Sequence, residues 1–178
     1  PIIVPSQDMI LGIYYLSQAA NKKDKVEGYF VDNSEIEHAL ESNQVKVHST
    51  IISRFETVDD NGNKKIEKHT STVGRFLLAN VLPKNSNIKF SLIDRLLPKK
   101  IVSEVIDSVF RFCGQKQTVI FCDKLKDLGF KHAFRAGISF GKDDLVIPTN
   151  KGQLIDETKK LIADYENQYS EGLITRGE

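Results

Sequence analysis

The chain has 178 residues, with 25 Lys and Arg against 24 Asp and Glu and a formal charge of +1. At 40% apolar and 28% charged it carries enough hydrophobic material for a sizeable core, which excludes wholesale disorder. Balanced charge gives no global pull toward nucleic acid or a membrane, two cysteines build no disulfide framework, and no apolar run approaches ~18 residues. A cytoplasmic globule is therefore expected. The start Pro1-Ile2-Ile3-Val4, with Met9 as the only methionine, points to a piece of something longer.

Charge is unevenly spread. Residues 84–149 hold 12 basic and 7 acidic side chains, against 9 and 11 in 1–83 and 4 and 6 in 150–178. Only the middle third has an electrostatic interest in phosphate, and an excess of that size is also ordinary solvated surface.

In chain order, Ser6 is placed to cap a first helix, with Asp8 in the first turn where a carboxylate complements the helix dipole. Met9, Ile10, Ile13, Tyr14 and Leu16 give it a broad apolar face through about Ser17. Residues 20–28 are loop-like, and Tyr29-Phe30-Val31 reads as a short strand. Ser34 and Glu37 fit a capping box that opens a short helix with Ile36, Ala39 and Leu40 inward. From Val45 the period falls to two. Val45, Val47, Ile51 and Phe55 point one way, and Lys46, His48, Thr50 and Arg54 the other. Asp59-Asp60-Asn61-Gly62-Asn63 is a hairpin turn that returns Lys64 to Val73 as the partner strand. Phe76, Leu77, Leu78, Val81 and Leu82 form a short apolar element ended by Pro83.

The second half reads as helical. Ile101, Val102, Val105, Ile106, Val109 and Phe110 share one stripe of a helix from Lys99 to Cys113, stopped by Gly114. A further helix starts at Thr118, with Val119, Ile120, Leu125, Leu128, Ala133 and Phe134 apolar and Gly137 past its end. Asn150 or Thr149 caps a last helix to about Ser170, on which Leu154, Leu161, Tyr165 and Tyr169 form a narrow stripe that wants one partner helix. The expected fold is α+β: a small mixed or antiparallel sheet with several helices in a body over 1–148, and a protruding C-terminal helix over 149–178.

Chemical motifs are scarce. Gly137-Ile138-Ser139-Phe140-Gly141-Lys142 has three residues between its glycines where a phosphate loop needs four, and Asp143 stands where Ser or Thr would hold Mg²⁺. Asp59, Asn61 and Asn63 have the first spacings of a calcium loop, but Lys64 occupies the required glycine position, so a hairpin turn explains them. Cys113, Cys122 and His132, nine and ten residues apart, lack the close pairs of a structural zinc site. His38, His48 and His69 read as surface positions, and Asp143-Asp144 as a cap or turn. No catalytic constellation is present.

Several strings do carry a resemblance. Pro1-Ile2-Ile3-Val4-Pro5-Ser6-Gln7-Asp8 and Leu11-Gly12-Ile13-Tyr14-Tyr15 resemble the segment just after the catalytic aspartate motif in the β′ family of bacterial RNA polymerase subunits. Thr72-Val73-Gly74-Arg75, Leu82-Pro83-Lys84, Thr118-Val119-Ile120-Phe121, Arg135-Ala136-Gly137-Ile138-Ser139 and Asp143-Asp144-Leu145-Val146-Ile147-Pro148 resemble later blocks of that family in the same order, as does the ending Gly172-Leu173-Ile174-Thr175-Arg176-Gly177-Glu178. The resemblance implies a pore domain beside the active centre and the start of the funnel around the secondary channel, where nucleoside triphosphates enter and backtracked RNA is extruded.

By the same resemblance Ser6, Gln7 and Asp8 sit nearest the active centre. Residues 149–178 form one arm of the channel-rim hairpin, with Glu171, Gly172, Leu173, Thr175 and Arg176 at a tip where factors dock. Lys116, Ile120 and Asp123 match positions of a guanosine tetraphosphate site in some bacterial enzymes. Asp127 replaces the aromatic expected there, and an acidic side chain repels a polyphosphate. Implied partners are the α, β, ω and σ subunits, template DNA, nascent RNA, nucleoside triphosphates and channel-binding factors, without a membrane. Mg²⁺ and Zn²⁺ are implied for the full subunit only. The Mg²⁺-binding motif lies upstream of this sequence and both zinc sites outside it, so the segment itself is expected to need no cofactor and to be inert alone. The alternative reading is a free-standing basic module for single-stranded nucleic acid. It is disfavoured because no Trp is present and Phe110, Phe112, Phe121, Phe130 and Phe134 read as core stripe rather than stacking platforms.

Overall fold

The computed structural model describes residues 4–19, 25–59, 61–175 and 177. The expected loop at 20–24, the turn residue Asp60 and the tip residue Arg176 lie outside them. The chain forms two compact units, Pro1–Ile138 and Ser139–Glu178.

The first unit runs α1 (Asp8–Ser17), β1 (Gly28–Tyr29), α2 (Asn33–Glu41), β2 (Thr50–Val58), β3 (Lys64–Thr72), α3 (Val73–Asn80), a 3₁₀ turn at Phe90–Leu92, and α4 (Lys99–Ala136). The expected α+β class is what forms. The sheet has the order β1-β2-β3, with β1 parallel to β2 at Gly28↔Ile51 and Tyr29↔Ile52, and β2 antiparallel to β3 from Thr50↔Thr72 to Val58↔Lys64. Ile51, Ser53, Phe55 and Thr57 turn inward on β2, as period two requires. The hairpin turn is held by the Asp59 carboxylate, which accepts from the Asn61 and Asn63 backbone N–H groups at 2.9 and 2.7 Å, while Gly62 supplies a φ of 82°. Those bonds hold the Asp59 carboxyl below its usual range and account for the spacing that mimics a calcium loop.

Close approach of backbones organises the helices. A Cβ on Gly12 of α1 would lie 1.8 Å from the Gly129 carbonyl oxygen of α4, and one on Gly129 would lie 2.6 Å from the Met9 carbonyl oxygen. A Cβ on Gly74, at the start of α3, would lie 2.2 Å from the Leu16 carbonyl oxygen. Around these crossings Ile13, Leu16, Leu78, Val102, Ile106 and Val109 are buried, and Phe55, Phe76 and Phe90 pack ring to ring from the sheet side.

Several local expectations shift. Ser6 is not the cap of α1: Gln7 holds that position at φ 52°, ψ −127°, without a side-chain cap bond. The α2 cap lies earlier than Ser34 and Glu37. Asp32 accepts from the Glu35 N–H at 3.0 Å, and Glu35 reaches back to the Val31 N–H at 2.7 Å. Residues 45–49 are turns rather than strand, because the Ser49 hydroxyl accepts from the Lys46 N–H and diverts the backbone from the ladder. Along α4, Gly114 at φ 76°, ψ 174° divides two helical arms, and the second begins directly after it instead of at Thr118. Of the five phenylalanines assigned to core stripes only Phe121 is buried. Phe110, Phe112 and Phe130 are about half exposed and Phe134 is 88% exposed.

The second unit holds a 3₁₀ turn at Lys142–Asp144 and α5 (Lys151–Ser170). The Asp144 carboxylate accepts from the Gly141 N–H at 2.7 Å, the capping role expected of this pair. α5 ends in a two-bond cap: Gly172, at φ 74°, donates to the Tyr169 carbonyl, and Leu173 donates to the Gln168 carbonyl at 2.9 Å. Neither Asn150 nor Thr149 gives its start a side-chain cap bond. No α5 side chain is buried, and Leu154, Leu161, Tyr165 and Tyr169 are each more than half exposed.

The glycine crossing makes a quantitative statement. Gly12→Ala is expected to lower the unfolding free energy by at least ~2 kcal/mol, since backbone rather than a flexible side chain must move. Gly152→Ala, which meets open space in α5, is expected to hold stability or raise it by up to about 1 kcal/mol. Urea unfolding of the two variants checks both, and an unchanged midpoint for Gly12→Ala contradicts the crossing.

Candidate functional site

The site begins at the N-terminus of α1. Pro5 is buried and anchors the approach, Ser6 is half-buried, and Gln7 and Asp8 are exposed. Gln7 adopts positive φ without being glycine, a strained conformation that persists only where the surroundings over-determine it. Its carbonyl accepts the first helical bond, from Leu11 at 3.1 Å, so the turn is locked into α1.

The other end of α1 is clamped by side chains that take up its last carbonyls, which a helix leaves without partners of its own. Ser17 Oγ donates to the Tyr14 carbonyl at 2.8 Å and accepts from the Leu97 N–H at 3.0 Å. The His48 ring bonds the Tyr15 carbonyl at 2.8 Å, and Arg75 Nε donates to the Ser17 carbonyl at 3.0 Å. Arg75 is held in turn by Asp94 at 3.0 Å, which also accepts from the Ser71 hydroxyl. With the glycine crossings, these bonds fix α1 on three sides and present Gln7 and Asp8 on a rigid support. His48 is thus half-buried in a structural bond, and His69 stacks on Phe90 at 4.4 Å; neither is the plain surface residue expected. Sequence spacing carries no sign of either contact, since both partners come from distant segments.

Lys116, Ile120, Asp123 and Asp127 share one solvent-facing stripe on the second arm of α4. Lys126 lies between the two acids, 3.7 Å from Asp123 and 3.4 Å from Asp127. In the other unit Glu171, Gly172, Leu173 and Thr175 are exposed around the α5 cap. Among the described residues no three His, Cys, Asp or Glu side chains gather to hold a metal ion. Cys122 is buried and Cys113 half-buried, and burial raises both thiol pKa values.

His132 is the buried polar residue that periodicity does not reveal. It is 2% exposed, and its Nδ1 has no hydrogen-bond partner. Burial, with the Arg135 and Lys131 charges adding to it, lowers its pKa to about 4. A histidine held neutral in the fold binds fewer protons than the unfolded chain, so stability falls as pH drops from about 6.5 toward 4. Between pH 7 and pH 4 the wild type is expected to lose about 3 kcal/mol more than His132→Met. Urea titrations at a series of pH values check this, and parallel losses in the two proteins contradict it.

Exposed apolar side chains on both α4 arms, including Phe110, Phe112, Val119, Phe130 and Phe134, mark the first unit as a building block that presents surface to partners. Residues 1–145 match the protein-family model described as RNA polymerase Rpb1, domain 3, and the chain belongs to that family. It is a segment of the largest subunit of a DNA-directed RNA polymerase. The chemistry of the whole enzyme is nucleotidyl transfer in transcription, and the segment's partners are other polymerase subunits and nucleic acids. Residues 146–178, with α5, lie beyond the matched stretch. Among the described residues no helix is long and apolar enough to cross a membrane.

Proposed function

We propose that this segment is the pore domain of a bacterial-type β′ subunit, in which residues 1–148 line the secondary channel and 149–178 carry its rim. The observation that carries the reading is the exposed Gln7–Asp8 pair on a helix fixed by backbone contact; the sequence resemblance is what puts this pair just after the family's catalytic aspartate motif. A rigid support beside an active centre positions groups without itself moving during the cycle. In this role the segment does no bond-making: Gln7 and Asp8 present an amide and a carboxylate toward the channel, while metal-held carboxylates elsewhere in the enzyme align the reacting oxygens. The cytoplasmic setting and the σ, α, β and ω partners belong to the same reading.

The exposed tip after α5 is the proposed docking handle for channel-binding factors, with Glu171 as its charged residue. The alarmone site is the weakest part of the resemblance. Asp123 and Asp127 put two carboxylates on the stripe that a polyphosphate would have to approach, and Lys126 beside them is already taken up by both.

Exposure of Phe110, Phe112, Phe130 and Phe134 removes one reason for setting aside a single-strand-binding module. Membership in a subunit of a multi-subunit enzyme gives these rings a different use, as packing surface for neighbours.

In the assembled polymerase, Gln7→Ala and Asp8→Ala are expected to change elongation, pausing or cleavage of backtracked RNA by several-fold with subunit assembly intact. Transcription assays on purified enzyme check this, and wild-type behaviour of both variants contradicts the channel reading. Glu171→Lys is expected to weaken binding of a channel factor roughly 3–10-fold with basal synthesis unchanged, because rim charge acts on encounter and register. A fluorescence titration of factor against enzyme reads the shift, and equal affinity contradicts the handle.

A further inference from the structure

A groove of about 390 Å³ runs between the start of α2, the end of α3 and β2, floored by Ile36, Phe55, Phe76 and Leu82. Two buried polar atoms on its lining residues have no hydrogen-bond partner, Ser53 Oγ and Asn33 Oδ1, and Ser53 is only 1% exposed. Buried hydroxyls and amides are nearly always bonded, so this pair needs an explanation.

The neighbouring strand supplies one. β1 pairs with β2 only at Ile51 and Ile52, and the Phe30 N–H then closes the contact on the Ile52 carbonyl at 2.9 Å. β2 continues to Val58, paired on its other side with β3. Successive residues of a strand turn their N–H and C=O groups to opposite sides. The carbonyls of Thr50 and Ile52 accept from β1's side, from Glu27 and Phe30, which sets Arg54, Glu56 and Val58 facing the same way beyond the end of β1. Among the described residues no other strand pairs with that edge. The strand Thr50–Val58 contains no Pro, which leaves its backbone ladder unblocked by any missing N–H, and of its two charged residues Glu56 is already paired with Lys64 and Lys84.

We propose that this edge and groove receive an extended segment of another polymerase subunit, added to β2 in line with β1. The five positions from Arg54 to Val58 span about 14 Å, so a segment of similar length completes the ladder. Its central inward side chain carries a hydroxyl or amide, to satisfy Ser53 and Asn33, and its neighbours are apolar, to lie over Phe55, Phe76 and Leu82. Nucleic acid is the wrong occupant: it has no alternating N–H and C=O ladder, and the charged lining, Asp32, Glu37 and Glu56 against Arg54 and Lys84, has no excess of positive charge to hold phosphates. The inference rests on membership in a polymerase subunit and not on the channel reading, so either survives the failure of the other.

Hydrogen exchange at single-amide resolution on the purified whole polymerase tests it. Arg54, Glu56 and Val58 are expected to exchange as slowly as Phe55 and Thr57, at least about 100-fold below exposed amides. Fast exchange at the three even positions in the intact enzyme overturns the proposal. Glu56→Pro removes the central open-side N–H without touching the β3 ladder. It should speed Arg54 and Val58 while Phe55 and Thr57 stay slow, which also shows that the variant folds; unchanged rates at Arg54 and Val58 overturn the proposal. A photocrosslinker in place of Asn80, which lines the groove, should yield an adduct with a defined segment of another subunit. An adduct to nucleic acid or to the same chain, or none, overturns it.

Discussion

The first unit depends on the crossing of α1 over α4 at Gly12 and Gly129. Neither position tolerates a Cβ, because backbone atoms already occupy the space where it would go. Helices that touch backbone to backbone lose the side-chain layer that normally lets packed helices slide, so small shifts are converted into clashes. Gly74 repeats the device where α3 meets the end of α1. The side-chain clamp of Ser17, His48 and Arg75 then ties the same helix to the turns before β2, to α3 and to the loop before α4. Burial of Ile13 and Leu16 contributes stability in the ordinary way, at ~1.5–3 kcal/mol each, but the glycines decide the geometry.

Rigidity of this kind suits a segment whose work is to hold a position. The strained backbone at Gln7 is tolerated because α1, pinned along its length, leaves it no room to relax. Sequence periodicity made the class of fold legible, since period two near Ile51 and Phe55 and period 3.6 after Lys99 are strong local signals. It placed the hairpin turn as well, where Asp59 and Gly62 do what their chemistry predicts. Boundaries were less legible where side chains compete for backbone groups, as Ser49 does before β2 and Asp32 does before α2.

The candidate site divides the same way. Ser6 to Asp8 were visible as a string, but the reason they are held, Gly74, Gly129, His48 and Arg75 meeting α1 from distant segments, is written in no local pattern. The phenylalanines show the converse error. A hydrophobic stripe on a helix is equally a core face or a face kept for a partner, and Phe110 and Phe134 belong to the second kind. The spacing of His132 from the cysteines speaks only to zinc, whereas its isolation from any hydrogen-bond partner at Nδ1 is a property of the packing alone.

Gly114 has an effect on α4 that reaches beyond its own bend. A continuous helix advances about 100° per residue. Carried through without a break, the buried stripe of Val102, Val105, Ile106 and Val109 would fall in phase with Lys116, Ile120, Asp123 and Asp127. The positive-φ, non-helical backbone at Gly114 resets that phase. The second arm therefore buries Phe121, Cys122, Leu125 and His132 and turns the charged series to solvent. One residue that accepts a φ of 76° thus acts as a rotational offset between two helices, and it lets a single connection serve two differently angled faces of the same unit.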